Sequence, residues 1–95
     1  MPKLNEVIEY YKKNERPLVC RYCGSTDDLT KDHIDPKSRV PRNVRVRLWR
    51  NKDKNPDAYF GQFSLACVIC NQQKAAMNHD EFIKHIKKII NYISQ

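Results

Sequence analysis

Cys20-Arg21-Tyr22-Cys23-Gly24 and Cys67-Val68-Ile69-Cys70-Asn71 are the stretches whose reading decides how this chain folds. In each, two residues separate the thiols, an interval at which one turn can aim both sulfurs at a single tetrahedral ion. Gly24 follows the first pair, where such a turn commonly needs a positive φ. The pairs are far apart in sequence, so one zinc shared by Cys20, Cys23, Cys67 and Cys70 would pin two distant segments together. Two disulfides would suit an oxidising compartment, and a redox Cys-x-x-Cys would not need a second copy. Structural zinc is therefore the expected reading.

A staple of this kind matches the size of the chain. With 95 residues there is room for one domain, and a core this small supplies only roughly 3–5 kcal/mol unless something reinforces it. Hydrophobic residues make up 40% and charged residues 31%, the balance of a folded, soluble protein and not of a disordered one. No apolar run approaches the roughly 20 residues that span a bilayer. The opening residues, Met1 to Glu6, lack the apolar stretch of a signal peptide. A cytoplasmic setting is the resulting expectation.

Outward from the cysteines lie two helical patterns. Leu4, Val7, Ile8 and Tyr11 recur at helical spacing, with Glu6 and Glu9 early and Lys12 and Lys13 late, an order that suits the helix dipole. Pro17 bounds this segment, which is expected to be helical over 1–16. At the other end, Phe82, Ile83, Ile86, Ile89, Ile90 and Ile93 form an apolar stripe opposite Lys84, Lys88 and Asn91. This predicts a helix over 78–95, capped by Asn78 or Asp80. Between the helices, Leu29 to Ile34 and Phe63 to Ala66 read as short strands.

The interval from Asp35 to Gly61 has a composition of its own. Lys37, Arg39, Arg42, Arg45, Arg47, Arg50, Lys52 and Lys54 crowd into it, and Pro36, Pro41 and Pro56 interrupt it. It reads as a long excursion with one short element around Val44 to Trp49, where alternation of Val and Leu with Arg predicts a strand. The formal charge of the chain is +7. Four thiolates and one zinc ion together lower this by two, to about +5, so the excess survives metal binding. Nucleic acid is the anionic partner such an excess most often serves. The eight cations are candidates to follow a phosphate backbone, with Trp49, Tyr59 or Phe60 free to stack or to pack inward. Phosphate contacts position a protein without reading base sequence.

Chemistry-bearing residues sit just past each cysteine pair. Lys31-Asp32-His33-Ile34-Asp35-Pro36 follows the first, and Asn71-Gln72-Gln73-Lys74 follows the second. One zinc clamping both pairs would draw Asp32-His33 and Asn71-x-x-Lys74 to the same side of the domain. Together they offer a carboxylate and an amide oxygen, hard donors suited to magnesium or manganese. They also offer an imidazole able to take a proton near neutral pH and a lysine suited to phosphate. His79 and His85 read as surface residues, since four thiolates already complete a zinc shell.

From Cys20 to Phe82 this arrangement resembles the HNH endonuclease family. The resemblance is carried by Cys-x-x-Cys, then Asp32-His33-Ile34-x-Pro36, then Leu65-Ala66-Cys67-x-x-Cys70-Asn71-x-x-Lys74, then Asp80-Glu81-Phe82 opening the last helix. It implies an α+β fold, a zinc-stapled ββα-metal (His-Me) finger over 18–77 with the basic insertion at about 35–61, flanked by N- and C-terminal helices. It also implies hydrolysis of DNA phosphodiester bonds, most readily in double-stranded DNA, by cleavage or nicking. By resemblance, His33 is the general base that activates water. Asp32 and Asn71 hold one divalent cation, magnesium or manganese, against the scissile phosphate, and Lys74 lies against the phosphodiester. The family's middle asparagine, whose amide braces the loop behind the base, falls here on Gln62, which offers the same amide on a longer stem. The alternative is a non-catalytic zinc module of the same shape that binds nucleic acid or a protein partner.

Overall fold

In the computed structural model, which describes residues 2–95, a two-stranded antiparallel hairpin forms the centre. Its strands are β1 (Leu29–His33) and β2 (Phe63–Cys67), paired in the register Leu29↔Cys67, Lys31↔Leu65 and His33↔Phe63. Successive side chains of a strand face opposite sides, so Phe63 and Leu65 point one way while Asp32, Ser64 and Ala66 point the other. Helix α1 (Leu4–Lys13) covers the first face, where Val7, Phe63 and Leu65 form the core with Leu4, Ile8, Tyr11, Leu18, Leu29 and Phe60 around them. Helix α4 (Val68–Lys74) covers the second. With both faces covered, all five residues of β2 are buried.

The excursion between the strands departs from expectation. Lys37–Arg39 form a 3₁₀ turn, and Val44 to Trp49 lies within helix α2 (Arg42–Arg50), not in a strand. The alternation of Val44, Val46 and Leu48 also fits a helix in which Val44 and Leu48 sit one turn apart. Two physical terms decide between the readings. Arginine is a good helix former, and this segment pairs with neither strand of the hairpin. Pro41 precedes the helix, and Asn51 closes it by donating from both its backbone N–H and its Nδ2 to the Arg47 carbonyl, at 3.1 and 2.8 Å.

Helix α3 (Pro56–Phe60) follows, with the Asn55 side chain accepting from Ala58 N–H at its start. Gly61 then turns the chain into β2. Its N–H reaches the Asp57 carbonyl at 2.8 Å, and a Cβ there would lie 2.6 Å from that same oxygen. Tyr10 of α1 donates to Asp57 and stacks on Phe60 at 4.6 Å, tying the N-terminal helix to the excursion. Helix α1 ends at Lys13, short of Pro17, with Glu15 beyond it at φ 55°.

Helix α5 (His79–Ile93) opens on a full capping box. Glu81 N–H donates to Asn78 Oδ1 at 2.9 Å, and Asn78 N–H donates to Glu81 Oε1 at 3.0 Å. His79 N–H bonds the Ile34 carbonyl at 3.1 Å, which fixes this end against β1. Only Phe82 of α5 is buried, and the far half projects, leaving Ile93 73% exposed. Among the described residues, no helix is long and apolar enough to cross a membrane.

A candidate metal centre and the cleft beside it

The two Cys-x-x-Cys turns meet beside the open end of the hairpin. In the first, Gly24 adopts φ 77° and donates to the Cys20 carbonyl at 3.0 Å, while Cys20 N–H reaches Ser25 at 2.7 Å. Arg21 N–H joins the Leu65 carbonyl at 2.9 Å, docking this turn on β2. The second turn is the junction of β2 and α4, where the Cys67 sulfur accepts from Cys70 N–H and so caps the helix. All four sulfurs lie within 4.8 Å of one another.

Zinc–sulfur bonds of about 2.3 Å in a tetrahedron place sulfurs about 3.8 Å apart, and Cys23 and Cys67 stand at 3.7 Å. That distance is far beyond a disulfide bond of about 2.05 Å, and the four cysteines are free. The set could hold a zinc ion. Its electrostatics suit a cation. Burial pushes the Cys20 thiol up, but hydrogen bonds from the backbone at Cys67, Cys23 and Tyr22 outweigh this and bring it down to about 6. Burial and the surrounding sulfurs push Cys70 up instead. Without a metal, one sulfur's negative charge raises the cost of the next, and a zinc ion would remove that conflict.

Beside this centre, Asp32, His33, Asn71 and Lys74 all line one cleft of about 310 Å³, together with Lys31 and Lys37. Asn71 is held in a defined orientation. Its Nδ2 donates to Thr30 Oγ1 at 2.8 Å and to the Lys31 carbonyl at 3.2 Å. Thr30 spends its own hydroxyl proton on the Ala66 carbonyl at 2.7 Å, so it must accept from Asn71. The Asn71 Oδ1 is left as an acceptor with no partner among the described residues.

Asp32 is differently placed. Its carboxylate is 3% exposed and takes three protein partners, Lys74 Nζ at 3.2 Å, Tyr22 Oη at 3.2 Å and Ser64 Oγ at 3.3 Å. Lys74, 2% exposed, also donates to the His33 carbonyl at 2.7 Å. Lys74, expected to lie against the phosphodiester, lines the cleft with its ammonium buried as a counter-ion, because α4 packs this side chain onto the face of β1 that carries Asp32. A hard divalent cation therefore finds one open ligand here, Asn71 Oδ1, while Asp32 is already neutralised by Lys74. The pair of ligands does not fit magnesium or manganese in this arrangement.

Motif spacing alone does not point to the groups around Asp32. Ser64 could have been found from the hairpin register, which sets it opposite Asp32. Tyr22 is reached only through the fold. Its ring packs on Phe82 at 4.9 Å and on His79 at 5.5 Å, and its oxygen lies 3.4 Å from His79 Nδ1. His79 is thus half-buried against Tyr22 and not a free surface residue, whereas His85 is exposed.

His33 faces away from Asp32, edge-on to Phe63 at 4.9 Å. Burial, reinforced by Lys31, outweighs the opposing pull of Asp32 and holds its imidazole below the usual range, so the neutral form is favoured. Its Nε2 is buried and has no hydrogen-bond partner. Gln62 lies with His33 on a second, larger cavity. Its Nε2 donates to the Tyr59 carbonyl at 2.9 Å, and its own carbonyl accepts from Ile34 N–H at 3.0 Å. The segment behind His33 is therefore braced by the main chain of Gln62, not by its side-chain amide.

Among the eight cations of the excursion, Lys37 and Arg45 line the larger cavity. Arg39 is paired with Glu81, and Lys52 lies over the Trp49 ring at 5.5 Å. Arg42, Arg47, Arg50 and Lys54 are exposed.

No protein-family model matches the chain, and comparison with the curated proteins and with the solved structures returns no match.

Proposed function

We propose that this chain is a small HNH-type endonuclease acting on DNA, with zinc on Cys20, Cys23, Cys67 and Cys70 as its staple. The observation that carries the reading is the meeting of Asp32, His33, Asn71 and Lys74 on one cleft beside a cluster of four thiols. Spacing in the sequence alone asked for that convergence.

Hydrolysis of a phosphodiester needs water activated in line with the leaving oxygen. His33 supplies the base: it is kept neutral by burial and has a ring nitrogen committed to no other group. The water's proton passes to the imidazole as its oxygen attacks phosphorus, the P–O bond to the leaving sugar oxygen breaks, and that oxygen takes a proton from solvent. Lys37, exposed on the cleft wall, offers a charge to the phosphate oxygens. Asn71 Oδ1 is directed by Thr30 and remains free for a polar ligand. Lys74, through the His33 carbonyl, fixes the backbone from which the base projects.

The test is relaxation of supercoiled plasmid by the purified protein, with and without added magnesium or manganese. Wild type is expected to nick or linearise the plasmid, and His33→Ala to lose about 10²–10⁴-fold in rate. Absence of cleavage by wild type, or undiminished cleavage by His33→Ala, overturns the proposal. A second reading, a non-catalytic zinc module that binds nucleic acid, is favoured by the buried Asp32–Lys74 pair, which occupies the carboxylate that a metal-dependent nuclease would use. It predicts salt-sensitive DNA binding with no cutting.

A further inference from the structure

The larger cavity, of about 570 Å³, shares His33 and Lys37 with the cleft described above. Its volume falls within the roughly 300–1,000 Å³ of small-molecule sites. Val44, Leu48 and Trp49 of α2 form part of the wall, and Tyr59 and Phe63 another part. No residue of α2 is fully buried, so its apolar side chains surround the cavity without filling it. Trp49 is 50% exposed. The one buried polar side-chain atom without a partner among the described residues, His33 Nε2, belongs to a residue of this lining.

An occupant must match two features: flat apolar walls and cations on the lining. Lys37 and Arg45 lie on the lining, with Arg42 exposed nearby on the same helix. A purely apolar ligand would leave these cations unmatched. A nucleobase has two faces that stack on aromatic rings and an edge that forms hydrogen bonds, and it carries its phosphate outside the pocket. The wall common to both spaces then puts that phosphate beside Lys37 and His33. Continuous duplex keeps its bases stacked and paired, so only an unpaired or extruded base can enter.

We propose, resting on the DNA-nuclease reading, that this cavity receives a single unpaired base, and that the substrate class is DNA containing such a base. The experiment measures binding of three fluorescently labelled duplexes by anisotropy, without added magnesium or manganese. One duplex is fully paired, one carries a single unpaired base, and one carries an abasic residue in place of that base. The expected result is about tenfold tighter binding of the unpaired-base duplex than of either other probe.

Trp49→Ala removes a stacking wall, and Ala58→Leu fills space from an exposed position on α3. Neither side chain belongs to the core, and each is expected to abolish the preference while leaving affinity for paired duplex unchanged. Equal binding of all three probes overturns the base pocket, as does an abasic probe bound as tightly as the unpaired base, or a preference retained in both variants. If duplex is still cleaved in those cases, the nuclease reading stands alone. Failure to bind any of the probes overturns both.

Discussion

Asp32 and Lys74 carry the sharpest residue-scale consequence. A buried ion pair contributes little net stability when intact, because both charges have left water, but removing one partner strands the other. Asp32→Asn should therefore destabilise the fold by about 3–5 kcal/mol in urea denaturation, through a buried Lys74 ammonium left without its counter-ion. An open metal ligand would behave in the opposite way, losing activity with little change in stability. A loss below about 1 kcal/mol would show that the pair does not persist in solution. His33→Ala, by contrast, removes a half-buried ring whose Nε2 has no partner, so its main effect should be on cleavage. Asp32, His33, Asn71 and Lys74 were all legible as a group from their offsets to the cysteines. The inward turn of Lys74 was not, because an i, i+3 spacing from Asn71 does not say which face α4 lays on the hairpin.

Helices and strands differ in how much holds them. Strand β2 is buried along its whole length and paired to β1, whereas α2 has no fully buried residue. Local opening follows the density of buried contacts. Amide hydrogen exchange should therefore be fastest in α2 and in the far half of α5, and slowest in β1 and β2. Protection of α2 equal to that of β2 would contradict this packing and close the larger cavity. This is also where sequence reading failed. The strands were found because Phe63 to Ala66 is a short apolar run bounded by turns, and α5 because its isoleucines hold a single stripe. Val44-Arg45-Val46-Arg47-Leu48 is too short for its period to separate helix from strand. That it pairs with neither strand is a property of the assembled fold.

At the scale of the molecule, a two-stranded hairpin covered by two short helices must hold a long basic excursion between its strands. Two distant turns meet at one cluster of four sulfurs, and closing so long a loop is where a metal clip contributes most. The first turn docks on β2 through Arg21 and Leu65, and the second launches α4, which carries Asn71 and Lys74 to β1. A zinc there joins the halves of the candidate site as well as those of the core. Cys67→Ser should unfold the domain, read as loss of helical circular dichroism and not as a slower but folded enzyme. A folded, inactive Cys67→Ser protein would separate the sulfur set from the fold.

Native mass spectrometry of the purified protein tests that central claim most directly. The account predicts a single compact charge-state series at the mass of the chain plus one zinc ion, converting to the extended, highly charged series of an unfolded chain as zinc is chelated. A compact series at the zinc-free mass, unchanged by chelator, would contradict it.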